Sequence, residues 1–208
     1  MTMGRSVWVV ALAAALASCA TARPTLKEQP AQEVRFDPTH VIGDLELEKL
    51  NDEELFAGGT SAYAASDYRN AARYFDRLVE FFPQSRHRRA ALYSAGLAHE
   101  RLNAWELARE RFADLSDPAK GTGDALDAAF REAETLYHLT RYAEAAAILE
   151  VVADREDLPA DKRMEARVQH GVCLLEAGLS QPAESSLRKA LEMWNALADK
   201  REVSDYFP

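Results

Sequence analysis

The chain is short of cysteine, of basic charge and of long apolar runs, and it lacks every common catalytic pattern. Its apolar stretch Val7–Leu16 is too short to span a bilayer, since a spanning helix needs roughly 20 apolar residues. Lys and Arg number 25 against 34 Asp and Glu, a net charge of −9. That balance argues against a general nucleic-acid binder and against a polybasic membrane-surface protein. The histidines, His40, His87, His99, His138 and His170, are scattered, with no pair at ligand spacing on one helix face. His99-Glu100 is not followed by the second histidine of a zinc-protease helix. Gly121-Thr122-Gly123-Asp124 lacks the lysine and the spacing of a phosphate loop and reads as a turn. No Gly-x-Ser-x-Gly elbow exists. The expectation is therefore a non-enzyme with no catalytic residue, no metal and no cofactor. No convincing period-2 alternation occurs either, which excludes a sheet and leaves an all-α chain.

What is present begins at the N-terminus. Arg5, the apolar run and Leu16-Ala17-Ser18 follow the order of a secretory signal: charged segment, short apolar segment, small-residue cleavage site. Cys19 stands directly after them and so resembles the lipobox of bacterial lipoproteins. The resemblance implies a signal peptide over 1–18, acyl chains on Cys19, and a mature chain of 190 residues. Several acyl chains, at about 0.8 kcal/mol per buried CH₂, anchor durably. Ala20 rather than Asp after the cysteine implies the periplasmic face of an outer membrane. With Cys19 acylated, Cys173 has no disulfide partner, and its apolar neighbours Val172, Leu174 and Leu175 read it as a small buried hydrophobe. Pro24, Pro30 and Pro38 with polar neighbours make the following stretch a tether, so that 19–50 reads as lipidated N-terminus and tether. Residues 39–50 are open between a strand-like cap and a helical lead-in.

From Asn51 the chain is helix after helix, and it repeats. Ser66-Asp67-Tyr68 with Ala71, Asn103-Ala104-Trp105 with Ala108, Thr140-Arg141-Tyr142 with Ala145, and Gly178-Leu179-Ser180 with Ala183 recur at intervals of 37, 37 and 38 residues. Each starts the second helix of a hairpin with a turn former, an aromatic two residues on, and an alanine five residues on; Ser180 replaces the aromatic in the last. Gly or Ala in the first helix, as at Gly59, Gly96, Ala133 and Gly171, lets the second helix approach closely. The pattern resembles the tetratricopeptide repeat. The resemblance implies an all-α, right-handed superhelical solenoid of about four helix-turn-helix units, near 52–85, 89–122, 126–159 and 164–197 within a 51–208 domain. The long period is similar to that of tetratricopeptide lipoproteins and periplasmic proteins of bacterial envelopes. Examples are the D subunit of the β-barrel assembly machine and the TolA-binding division coordinator. Val203-Ser204-Asp205-Tyr206-Phe207-Pro208 resembles the lead-in to a further helix, or a cap.

In such solenoids the first helices line the concave face. By resemblance that face receives Phe56, Thr60 and Tyr63, then Tyr93, Leu97, Glu100 and Arg101, then Phe130, Glu134, Tyr137 and His138. Aromatic and arginine side chains anchor interfaces well, and this set suits an extended peptide or a helix. Phe56 and Phe130 read rather as core, and the three tyrosines stay open between groove and core. A basic patch is the second candidate: Arg69, Arg73 and Arg77 form one helical stripe, followed by Arg86, Arg88 and Arg89. It reads either as a dock for an acidic partner or as a solvated face offset by Asp67, Asp76 and Glu80. The functional expectation is a lipid-anchored adaptor for protein partners in a bacterial envelope assembly, serving outer-membrane protein assembly, pilus, motility or division. The alternative is a periplasmic binder of peptidoglycan or another glycan that regulates a cell-wall hydrolase.

Overall fold

The structure, a computed structural model, describes residues 46–199, with side chains described through Leu197. The signal segment, Cys19, most of the tether and the tail from 200 lie outside the described residues. Eight helices lie wholly within them and form four hairpins. Helices α1 (Asp52–Ala64) and α2 (Tyr68–Phe81) make the first, α3 (Arg88–Arg101) and α4 (Trp105–Ala113) the second. Helices α5 (Asp124–His138) and α6 (Tyr142–Ala153) make the third, α7 (Ala160–Glu176) and α8 (Ser180–Asp199) the fourth. Each helix packs on the next in sequence, and α3 also meets α5. The architecture is an all-α solenoid in which stacked neighbours complete each hairpin's core. No helix among the described residues is long and apolar enough to cross a membrane. The part of 39–50 that is described, from Glu46, is a helical turn that places Leu47 in the core of the first units.

Local chemistry sets the helix ends. Asn51 and Glu54 form a reciprocal capping box at the start of α1, with N–H···O distances of 2.9 and 3.0 Å. The hairpin turn is the same in all four units. Its central residue, Ser66, Asn103, Thr140 or Gly178, has φ of +56° to +77°. Its N–H bonds the carbonyl three residues back (Tyr63, Glu100, Tyr137, Leu175), and the next N–H bonds the carbonyl five back, all at 2.8–2.9 Å. This is the Schellman arrangement, which satisfies the last carbonyls of the first helix and reverses the chain.

Close approach follows the small residues. A Cβ on Gly59 would lie 2.6 Å from the Phe75 ring, and one on Gly96 would lie 2.5 Å from the Phe112 ring. Both rings are almost fully buried. In the third unit the same two positions hold Ala133 and Leu149, both buried. The larger first-helix residue there is matched by a smaller second-helix one. The buried side chains fall into two clusters, one from units one and two with Ala128 of α5, the other from units three and four.

Candidate partner-binding groove

Helical spacing on three first helices builds a groove of about 520 Å³. Tyr93 comes from α3, and Asp127, Phe130, Arg131, Glu134 and Tyr137 come from α5. Lys162, Glu165, Val168, Gln169, Val172 and Cys173 come from α7. Positions three and four apart share a helix face, so one stripe of α5 confronts one stripe of α7. Val168 and Val172 are 41% and 40% exposed. Their apolar surface is left uncovered by the described residues. Cys173 is free and buried at the base, and burial raises its thiol pKa, which suits an inert hydrophobe.

The charges in this groove are coupled. Arg131 lies 3.0 Å from Glu134 and 3.6 Å from Glu100, and the Tyr93 hydroxyl also bonds it. Glu100 is 12% exposed at its side chain, and its Oε1 is buried without a hydrogen-bond partner. Burial pushes its pKa up to about 7; Arg131 and Arg101 pull down against that, and Glu134 pushes further up. Lys162 bonds Glu165 at 3.1 Å and sits 5.7 Å over the Phe130 ring.

Of the residues expected on the concave face, Tyr93, Glu134 and Tyr137 come together in the groove. Leu97 packs on the core of the first units. Tyr63 also packs there and meets Tyr68 edge-on at 5.2 Å. Arg101 and His138 are used between units. The Arg101 guanidinium lies 5.7 Å from the Tyr68 ring centre, and His138 stacks on Trp105 at 4.0 Å. In each case the aromatic after one turn meets the end of the next unit's first helix. Phe56 packs against Phe75 and stacks on His87 at 4.6 Å, whereas Phe130 both touches the second core and lines the groove. Thr60 donates to the Phe56 carbonyl on its own helix.

The basic residues do not form one open patch. Arg86 pairs with Glu53 at 2.7 Å, and Arg89 holds Asp124 through two bonds of 2.9 and 3.1 Å. Arg77 covers the Phe81 ring at 3.6 Å, Arg73 bonds Asn70, and Arg88 is half-buried. Arg69 is exposed beside Asp67. Asp76 turns instead to His99 and Arg111 at 2.8 and 2.7 Å. Burial raises the Asp76 pKa, but these two partners outweigh it and hold the carboxyl below its ordinary range.

The sequence pattern did not single out the α7 wall. The same concave register carried into the fourth unit lands on Val168, Val172, Leu175 and Glu176, so a signal for the two valines was available. Arg131 and Lys162 have none, because both are set by neighbours across helices. Arg155 was also missed. It is 7% exposed, donates to the Gly121 carbonyl at 2.6 Å, and forks onto Asp157 at 3.0 and 2.6 Å.

The four stacked hairpins form a helical solenoid of the tetratricopeptide type. A tetratricopeptide-repeat family model matches residues 55–85, which is most of the first hairpin. Two crystal structures of MamA share the fold. One has 18% identity and a TM-score of 0.55, covering 76% of this chain and 86% of MamA. The other has 18% identity and a TM-score of 0.58, covering 82% and 92%. No curated protein sequence matches the chain.

Proposed function

We propose that the protein is a non-enzymatic scaffold, tied by lipid on Cys19 to the periplasmic face of a bacterial outer membrane, that holds a segment of an envelope-assembly partner in this groove. The observation that carries the reading is the confrontation of α5 and α7: exposed Val168 and Val172 opposite Phe130 and Tyr137, ringed by paired charges. An apolar floor with a polar rim is the anatomy of a protein interface. Leu16-Ala17-Ser18-Cys19 supports the anchor. Anchoring on one surface raises the effective concentration of partners there. The test is in-cell crosslinking with mass spectrometry on the tagged wild type, Cys19→Ala, and Tyr93→Ala with Tyr137→Ala. One dominant envelope protein, weakened by Cys19→Ala and lost in the tyrosine variant while the fold stays intact, is the expected result. No protein partner in any form overturns the scaffold reading.

A further inference from the structure

The balance of charge inside the groove carries a more specific inference, which rests on the groove reading above. Two carboxylates, Glu100 and Glu134, share the single guanidinium of Arg131. Glu134 is 52% exposed at its side chain and open to the groove, whereas Glu100 is shielded and has one oxygen without a partner. A second ionised carboxylate on one guanidinium leaves an uncompensated charge out of water, an expensive state. Asp127, exposed at the same wall, adds negative potential. The other cation of the wall, Lys162, bonds Glu165.

We propose that the groove selects a protein segment carrying a lysine or arginine, seats that cation on Glu134, and in exchange releases one proton from Glu100. The empty groove is neutral around Arg131 with Glu100 protonated, Glu134 ionised and Arg131 charged. The filled groove is neutral again: the incoming cation pairs with Glu134, Arg131 turns to Glu100, and the Glu100 proton leaves to solvent. Both states avoid a bare buried charge, and only a cationic guest permits the second.

The groups facing Glu100 support this assignment. From α5 these are Arg131 and Glu134; from α3 itself they are Arg101 and, through Arg131, Tyr93. Helices α2 and α4, which also pack on α3, direct Asp76 and Arg111 to the adjacent His99. Burial already holds Glu100 near pH 7, so the exchange falls in an accessible range. Releasing one proton there makes affinity for a basic segment about tenfold weaker at pH 6 than at pH 8.

The test pans random twelve-residue peptides displayed on phage against the full chain in detergent at pH 8. Binding of the selected peptides is then measured at pH 6 and 8 to wild type, Glu100→Gln, Glu134→Gln and Val172→Asp. Expected are peptides with a fixed Lys or Arg, bound about tenfold more weakly at pH 6. Glu100→Gln should flatten that pH dependence and Glu134→Gln should remove the preference for the basic residue, while Val172→Asp abolishes binding. Peptides lost in Val172→Asp but without a basic position, or bound equally by Glu134→Gln, overturn this inference and leave the groove reading standing. Failure of every peptide to bind in a Val172-dependent way overturns both.

Discussion

Glu100 is a carboxylic acid that the fold would rather keep protonated, and that preference has a sign in stability. In the unfolded chain it ionises near the ordinary glutamate value, about 4.3. In the folded chain it holds its proton to about pH 7, because burial outweighs Arg131. Between these values the folded state binds the extra proton, so stability falls as pH rises and the loss is complete above pH 7. Glu132, also raised chiefly by burial, contributes with the same sign. Asp76 acts oppositely and lower: its depressed pKa gives stability that is present above the ordinary aspartate value and lost as pH falls through the folded one. The isolated Glu100 effect is the difference between wild type and Glu100→Gln. Urea unfolding should show the variant more stable by about 1–3 kcal/mol at pH 8 and nearly equal at pH 4.5, since each tenfold change in proton affinity is worth at most about 1.4 kcal/mol. An equal difference at both pH values would mean that the glutamine acts through packing and not through charge.

At the scale of the element, two recurrent devices hold each hairpin. The first is the left-handed turn, where Thr140 carries a β-branched side chain at φ +59° while Gly178 occupies the same position at φ +77°. A non-glycine residue there costs about 1–2 kcal/mol, offset in part by the greater entropy a glycine loses. Thr140→Gly should therefore raise stability by about 0.5–1 kcal/mol, read from the shift in thermal midpoint. The second device is the small residue under a large one. Gly96→Ala drives a Cβ to 2.5 Å from Phe112, and a buried ring cannot yield, so a loss of about 1–3 kcal/mol is expected. Adding Phe112→Leu recreates the pairing that unit three uses, Ala133 with Leu149. The double variant should then lose less than the sum of the two singles, a coupling measurable in a double-mutant cycle. Both devices were legible in the sequence, because turn formers and small residues recur at fixed spacing and act within one hairpin. The groove was legible only in part. Tyr93, Glu134 and Tyr137 follow from register alone, whereas Arg101 and His138 are claimed by Tyr68 and Trp105 of the preceding unit. That competition depends on how far one hairpin sits from the next, which no spacing within a unit states.

For the whole described solenoid, the question is how two core clusters behave as one cooperative body. Solenoids hold together through nearest-neighbour interfaces, so a weak interface lets one half unfold without the other. The connection from α4 to α5 over 114–123 is the longest between the helices and lies where the clusters meet. Arg155 follows α6 in the second half and reaches back to the carbonyls of Gly121 and Pro118 in that connection, at 2.6 and 3.4 Å. Its other guanidinium edge forks onto Asp157, so one planar group fixes the loop and the start of the next linker together. Nothing in the residue pattern hints at it, since two of its partners are backbone carbonyls. Arg155→Ala removes the donors from a buried site and should cost about 2–4 kcal/mol. Arg155→Lys should recover only part, because an ammonium cannot fork onto the carboxylate while reaching the loop. The loss should also change the shape of unfolding. Trp105 stacks on His138 across the junction, so a tryptophan placed at Tyr74 against the first cluster reports on the first half and Trp194 on the second. In backgrounds that carry only one of these two, their urea transitions should coincide when Arg155 is present. In Arg155→Ala they should separate, with a smaller m-value for each. Coincident transitions in that variant would instead assign the cooperativity to the α4–α5 and α3–α5 packing, with Arg155 serving only to order its loop.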